Sequence, residues 1–282
     1  MLDALTDPFS QALGARALVE LILLGALCGP LGVWIVLYRQ SYAAESVAHS
    51  MLPGLVLAAL AGIPLGLGAA GGLTVAVLAI ALAGRAPHVD GDTAVAVTVT
   101  ALFGLGSLLA LSPEVPLRIG ELLFGDPLSV STGDLLASGA VGLALAVGLV
   151  CFHRPLSLVA FDPQPARSLG ASGASAELVL LGLLGATILI AVQALGNLLV
   201  VAILIGPAVA ALQLCRRLVP ALAAAAALAI AAGVAGLYLS YYVEIAAGAS
   251  IAICAVVAAG VGLGFNRCHP RGGASEAASA SR

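Results

Sequence analysis

The chain has 282 residues, 61% hydrophobic and 9% charged, with a formal net charge of −3 and a mean hydropathy of +1.14. Soluble domains carry about 45–50% apolar and about 25% charged residues, so a soluble globular domain is excluded, and with it a basic nucleic-acid-binding surface. All 11 basic residues are arginine, which removes the P-loop lysine that reaches the β- and γ-phosphates of a bound nucleotide.

Taken in chain order, residues 1–11 are acidic and lack the basic start of a signal peptide. Apolar runs long enough to cross a bilayer as helix follow near 17–38, 43–61, 65–83, 93–111, 134–152, 177–195, 198–215, 219–239 and 246–265. The fold class is therefore all-α: a polytopic bundle of eight or nine transmembrane helices in one domain, residues 1–265. Residues 266–282 form a Ser/Ala-rich tail that cannot bury a core and is expected to be disordered. The five cysteines (Cys28, Cys151, Cys215, Cys254 and Cys268) form no C-x-x-C pair and read as small apolar membrane residues.

The arginines test this division. With nine spans, one side collects Arg39, Arg85, Arg154, Arg167, Arg216, Arg217, Arg267, Arg271 and Arg282, and the other holds Arg16 and Arg118. Cytoplasmic loops carry the excess of basic residues, so the C-terminus is expected inside and the N-terminus outside.

The second span opens with Arg39-Gln40-Ser41-Tyr42-Ala43-Ala44-Glu45-Ser46-Val47-Ala48-His49 and continues to Leu52-Pro53-Gly54. Glu45 and His49 at i and i+4 share one helix face. A mixed carboxylate and imidazole pair suits zinc, manganese or ferrous iron. If the helix starts near Arg39, His49 lies about 15 Å in, at roughly 1.5 Å rise per residue, which is half of a roughly 30 Å hydrocarbon layer. An ionisable residue at that depth marks a pathway or a site. Pro53 cannot donate to the carbonyl of His49, so a kink is expected beside the pair. Pro207 is a second expected kink. Two protein ligands are too few for a zinc shell of four, and a two-fold homodimer would double them. Ionisable residues inside the other spans are nearly absent. His88 and His153 sit beside arginines and read as solvated.

These residues resemble the membrane subunits of zinc, manganese and iron ABC importers, which show an aspartate, three residues, histidine and a Leu-Pro-Gly-like ending here. Glu121 through Leu128 is similar to that family's outer-loop segment. Phe161-Asp162-Pro163-Gln164-Pro165-Ala166-Arg167-Ser168-Leu169-Gly170 resembles its F-D-P-x-x-A-x-x-x-G loop, and segments from Gly196 to Ala208 and from Gly236 to Tyr242 agree in order. The resemblance implies a type II ABC importer-like permease in a bacterial cytoplasmic membrane, moving zinc or manganese inward with no permanently bound cofactor. It further implies a homodimer with two cytoplasmic ATPase subunits and an extracytoplasmic solute-binding protein. Phe161, Asp162, Pro163, Ala166 and Gly170 would form the ATPase-coupling loop, and Glu45 and His49 the metal path. Glu45 departs from the family's aspartate by one methylene.

A vitamin- or siderophore-type ABC permease and an ion-coupled secondary transporter are the competing readings. The first wants a large cavity in place of a Glu/His pair; the second wants inverted repeats and broken helices, and no convincing repeat is visible. An intramembrane zinc protease would need H-E-x-x-H, which is absent.

Overall fold

The computed structural model describes residues 12–268 except 88, 113–130, 163, 165, 167–172 and 196. Ten helices are described: α1 (Ala12–Leu37), α2 (Ser41–His49), α3 (Leu52–Ala61), α4 (Leu65–Ala83), α5 (Gly91–Ala110), α6 (Thr132–Phe161), α7 (Gly173–Leu195), α8 (Asn197–Leu214), α9 (Leu218–Val243) and α10 (Ala247–Cys268). Each of the nine expected spans has its helix, and the second is split in two. Eight segments are long and apolar enough to cross a membrane, α2 and α3 counting as one, while α8 contributes a shorter apolar stretch, Leu199–Leu214.

Close backbone approaches fix the relative directions. Gly25 and Gly29 of α1 pack on Ile230 and Ala225 of α9, so these helices run antiparallel. Gly206 meets Ala255 and Ala210 meets Gly262, so α8 and α10 run parallel. Leu27 touches Gly142, Trp34 meets His153, and the Tyr38 hydroxyl donates to the Leu156 carbonyl at 2.9 Å; α1 and α6 are therefore parallel. Met51 lies on Gly72 and Ala58 on Gly68, which makes α3 and α4 antiparallel. Together with the short α1–α2 and α9–α10 connections, these contacts give α1, α4, α6, α8 and α10 one direction and α3 and α9 the other. The turns at 38–40, 84–90 and 215–217 therefore share one face, and Arg39, Arg85, Arg216 and Arg217 with them.

Small residues make this packing possible, since without a hydrophobic drive between helices in lipid, association rests on close approach. The α3–α4 contact is among the tightest: a Cβ on Gly54 or Gly68 would enter the backbone of the opposite helix. Gly62, at φ +68°, closes the turn between them in the left-handed region that glycine enters without strain. The core is lined by Leu21, Leu24, Leu31, Trp34, Ile35, Leu180, Leu184, Ile188, Ile203 and Leu204, all essentially inaccessible. Valines and leucines such as Leu143, Val150, Val256 and Val261 are exposed on the outside, as a lipid-facing surface requires. α10 runs three residues beyond the expected 265, and residues 269–282 lie outside the described residues.

Candidate metal pathway

α2 is amphipathic in an unusual sense. Ala43, Ala44, Val47 and Ala48 are buried against the bundle, leaving Glu45 exposed and His49 half-buried on the opposite side. The helix stops at His49 for local reasons. The Ser50 N–H donates to both Ser46 O (3.3 Å) and Val47 O (3.1 Å), tightening the last turn. The Ser50 hydroxyl also donates to Ser46 O at 3.1 Å, a back-bond that bends helices. Pro53 withholds the N–H that would have bonded the His49 carbonyl and instead occupies the first turn of α3, where proline is tolerated. The sequence predicts a kink, and the structure interrupts the helix at Ser50 and Met51, which themselves keep right-handed helical dihedrals (φ −70°, ψ −14° and φ −76°, ψ −12°). Because α2 begins at Ser41 and not at Arg39, His49 lies about 12 Å from its start at roughly 1.5 Å per residue.

Two neighbouring helices hold the break. On α4, a Cβ at Gly72 would lie 2.9 Å from the Met51 carbonyl oxygen. On α5, a Cβ at Gly106 would lie 2.8 Å from Pro53 N and 2.9 Å from Leu52 Cγ. One turn earlier on α5, the Phe103 ring meets the His49 imidazole edge-on, with centroids 5.7 Å apart at 77°.

Glu45 opens into a groove of about 400 Å³ walled by Val201, Ala202, Ile205 and Gly206 of α8 and by Val256 and Ala259 of α10. Pro207, inside α8, directly follows the groove wall. Glu45 and His49 thus stand on successive turns of one face, the first toward α8 and α10, the second toward α5. Among the described residues no group of three or more His, Cys, Asp or Glu side chains could hold a metal ion, so one protomer offers a carboxylate and an imidazole and no closed shell.

At the arginine-bearing face, Phe161 ends α6 and is exposed. The Asp162 N–H donates to Leu158 O at 2.9 Å, and its carbonyl accepts from the Ala166 N–H at 3.1 Å; Ala166 is buried. Pro163, Gly170 and the 121–128 segment lie outside the described residues, as does His88. Near this face a second cavity of about 420 Å³ is lined by Tyr38, Arg39, Arg85, Asp90, Asp92 and Glu177, among others. Burial, and secondarily the Glu177 carboxylate, push the Tyr38 phenol up to about 12.

Two sequence expectations change. His153 is not a solvated loop residue: α6 continues to Phe161, and the His153 ring packs on Trp34 with centroids 5.5 Å apart at 76°. The long apolar run past Arg154 and Pro155 was the available signal. The first span also contains an acid, Glu20, whose carboxylate is 1% exposed, visible in sequence as the lone charge in the run 17–38.

The fold and this broken helix define a polytopic helical permease. Residues 11–265 match the ABC 3 transport family, and the chain belongs to that family. It is 34% identical over 241 residues to the manganese transport system membrane protein MntC of Halalkalibacterium halodurans, covering 85% of this chain and 82% of that protein. It is 30% identical over 271 residues to the chelated iron transport system membrane protein YfeD of Yersinia pestis, covering 96% and 91%. Among solved structures it resembles PsaBC of Streptococcus pneumoniae, determined in complex with Fab, at a TM-score of 0.82 and 26% identity over 93% of this chain and 95% of that one.

Proposed function

We propose that this chain is the membrane subunit of an ATP-driven importer for a divalent transition metal, with manganese the first candidate and zinc and iron next. The observation that carries the reading is Glu45 and His49 on one face of a membrane helix that breaks immediately after His49, in a member of the ABC 3 transport family. Relatives named for manganese and iron transport support the cargo class. A carboxylate–imidazole pair suits these ions and not calcium or magnesium.

The remaining assignments belong to the same reading. Two copies meet across the α2–α8–α10 groove, so that each contributes its Glu45 and His49 to a shared path. ATP is hydrolysed by separate cytoplasmic subunits, which engage the loop that begins at Phe161 and Asp162; a solute-binding protein delivers metal from the other side. The arginine-bearing face is cytoplasmic by the positive-inside rule, which puts the C-terminus inside a bacterial cytoplasmic membrane. ATP-dependent alternating access then swings α2 about its break at Ser50 and Met51.

The test is uptake of radiolabelled manganese and zinc by cells expressing this chain with its ATPase. His49→Ala is expected to abolish uptake while the chain still inserts and assembles. Uptake unchanged in that variant would overturn the pathway.

A further inference from the structure

His49 is the last residue of α2. The Ser50 N–H turns back to Ser46 and Val47, so α2 supplies no residue after it to fix the imidazole. The χ2 torsion of histidine is broad and roughly two-fold, hence helix geometry alone does not set the plane of the ring. A metal ligand needs its nitrogen lone pair aimed at the ion, and groups outside the ligand shell fix that aim. The group that meets the ring here is Phe103 of α5, edge-on, with centroids 5.7 Å apart and planes at 77°. Aromatic pairs favour this arrangement at about 4.5–7 Å.

Phe103 is itself held from the firm side of the interruption. Gly106, three residues along α5 and so on a neighbouring part of the same face, lies against the start of α3. A Cβ there would come within 2.8 Å of Pro53 N and 2.9 Å of Leu52 Cγ. α3 is in turn locked to α4 through Gly54 and Gly68. α5 therefore touches both sides of the interruption, with Phe103 at the end of α2 and Gly106 at the beginning of α3. A side chain that only filled the bundle would be buried, as Val95 and Thr98 of the same helix are, at 4% and 7% exposed. Phe103 is 45% exposed, so its contact with His49 is not a by-product of core packing.

We propose that Phe103 is a positioning residue for His49: its ring holds the imidazole plane at the end of α2 and thereby sets the affinity of the Glu45–His49 pair for the cargo ion. The assignment rests on the pathway proposed above; the ring contact does not. A phenyl ring offers no atom that binds a divalent metal, so its effect reaches the ion only through His49. It also keeps water from one flank of the imidazole and leaves the other for the ion. Loss of an orienting group around a ligating histidine costs about 10–100-fold in metal affinity. A ring contact is weaker than the hydrogen bonds behind that range, so its lower end, about tenfold, is expected.

Two measurements on the full chain with its ATPase test this. One is radiolabelled manganese uptake by expressing cells, read as KM and maximal rate. The other is carbethoxylation of His49 by diethylpyrocarbonate in the purified assembly without metal, followed by mass spectrometry of the peptide that carries it. Phe103→Leu keeps apolar bulk, removes the ring and, at a half-exposed position, opens no buried cavity; Phe103→Met serves the same purpose should the leucine variant fail to assemble. Phe103→Leu is expected to raise KM about tenfold at an unchanged maximal rate, and to speed His49 modification severalfold. Phe103→Tyr, which keeps the ring, is expected to match the wild type in both. Unchanged KM and unchanged modification in Phe103→Leu would overturn the assignment, as would a lower maximal rate at unchanged KM, the mark of a purely structural role. His49→Ala separates the two failures. Normal uptake in that variant removes the pathway, and with it any part for Phe103 in transport; lost uptake there, beside a Phe103→Leu variant that behaves as wild type, removes Phe103 alone.

Discussion

Replacing Gly106 by alanine tests whether α5 sets the geometry of the break in the second span. The new methyl would sit 2.8 Å from Pro53 N, 2.9 Å from Leu52 Cγ and 3.0 Å from Leu52 Cβ. Ordinary contacts lie at about 3.5–4.0 Å, so the shortfall is roughly 0.7 Å. Pro53 N is backbone inside a proline ring and cannot rotate away, hence α5 must recede from α3. Overpacking of this kind costs about 1–3 kcal/mol. Phe103, three residues earlier on the same helix, recedes with it and loosens the 5.7 Å ring contact with His49. Gly104 supplies the control: a Cβ there meets nothing within 4 Å, and alanine is a better helix former by about 0.8–1.0 kcal/mol.

The assay pairs thermal unfolding of the purified assembly in detergent with metal uptake in cells. Gly106→Ala is expected to melt several degrees lower and to transport poorly, while Gly104→Ala melts at or above the wild-type temperature and transports normally. Equal melting and equal uptake for the two variants would refute the idea that α5 braces the break.

Pro53→Ala should restore the missing donor to the His49 carbonyl and fuse α2 with α3. Spin labels at the exposed Tyr42 and Leu60 should then move toward the roughly 27 Å expected for 18 residues of straight helix at about 1.5 Å each; an unchanged distance would mean that Gly72 and Gly106, not the proline, enforce the break. Tyr38→Phe removes the 2.9 Å bond to the Leu156 carbonyl and should cost about 1 kcal/mol, read as a lower melting temperature. The Tyr38 phenol is raised to about 12 in the folded chain against about 10 in an unfolded one. Its contribution is therefore fully present below pH 10 and is lost as pH rises toward 12; a wild-type chain whose Tyr38-dependent stability falls already between pH 7 and 9 would contradict this.

What the sequence made legible depended on the kind of signal. Length and hydropathy place every span, because a bilayer demands long uninterrupted apolar runs. The arginine asymmetry anticipates which turns share a face, and contacts as distant as Gly25–Ile230 and Gly206–Ala255 give the same alternation. Glu45, His49 and Pro53 are adjacent in sequence, so their relation was readable as a local pattern. Phe103 and Gly106 were not, since nothing in α5 announces that it packs against the break. Glu20 escaped for a different reason: one acid in a run of 22 residues hardly moves a hydropathy average, and its burial comes from how α1 packs in the bundle.

The split of the second span has a further consequence for how the chain can move. A continuous membrane helix is stiff, so displacement at its Ser41 end would carry α3 along with α2. Here α3 is locked to α4 by the Gly54–Gly68 approach, where any side chain would collide with backbone, whereas α2 presents Glu45 to an open groove. The two halves are thus held with unequal firmness on either side of Ser50 and Met51. Motion entering through Arg39 and Ser41 is expected to rotate α2, with Glu45 and His49, against a fixed α3. That separates the residues proposed to touch cargo from the residues that hold the bundle, and it places the hinge where the back-bonded serine and the proline together leave the helix weakest.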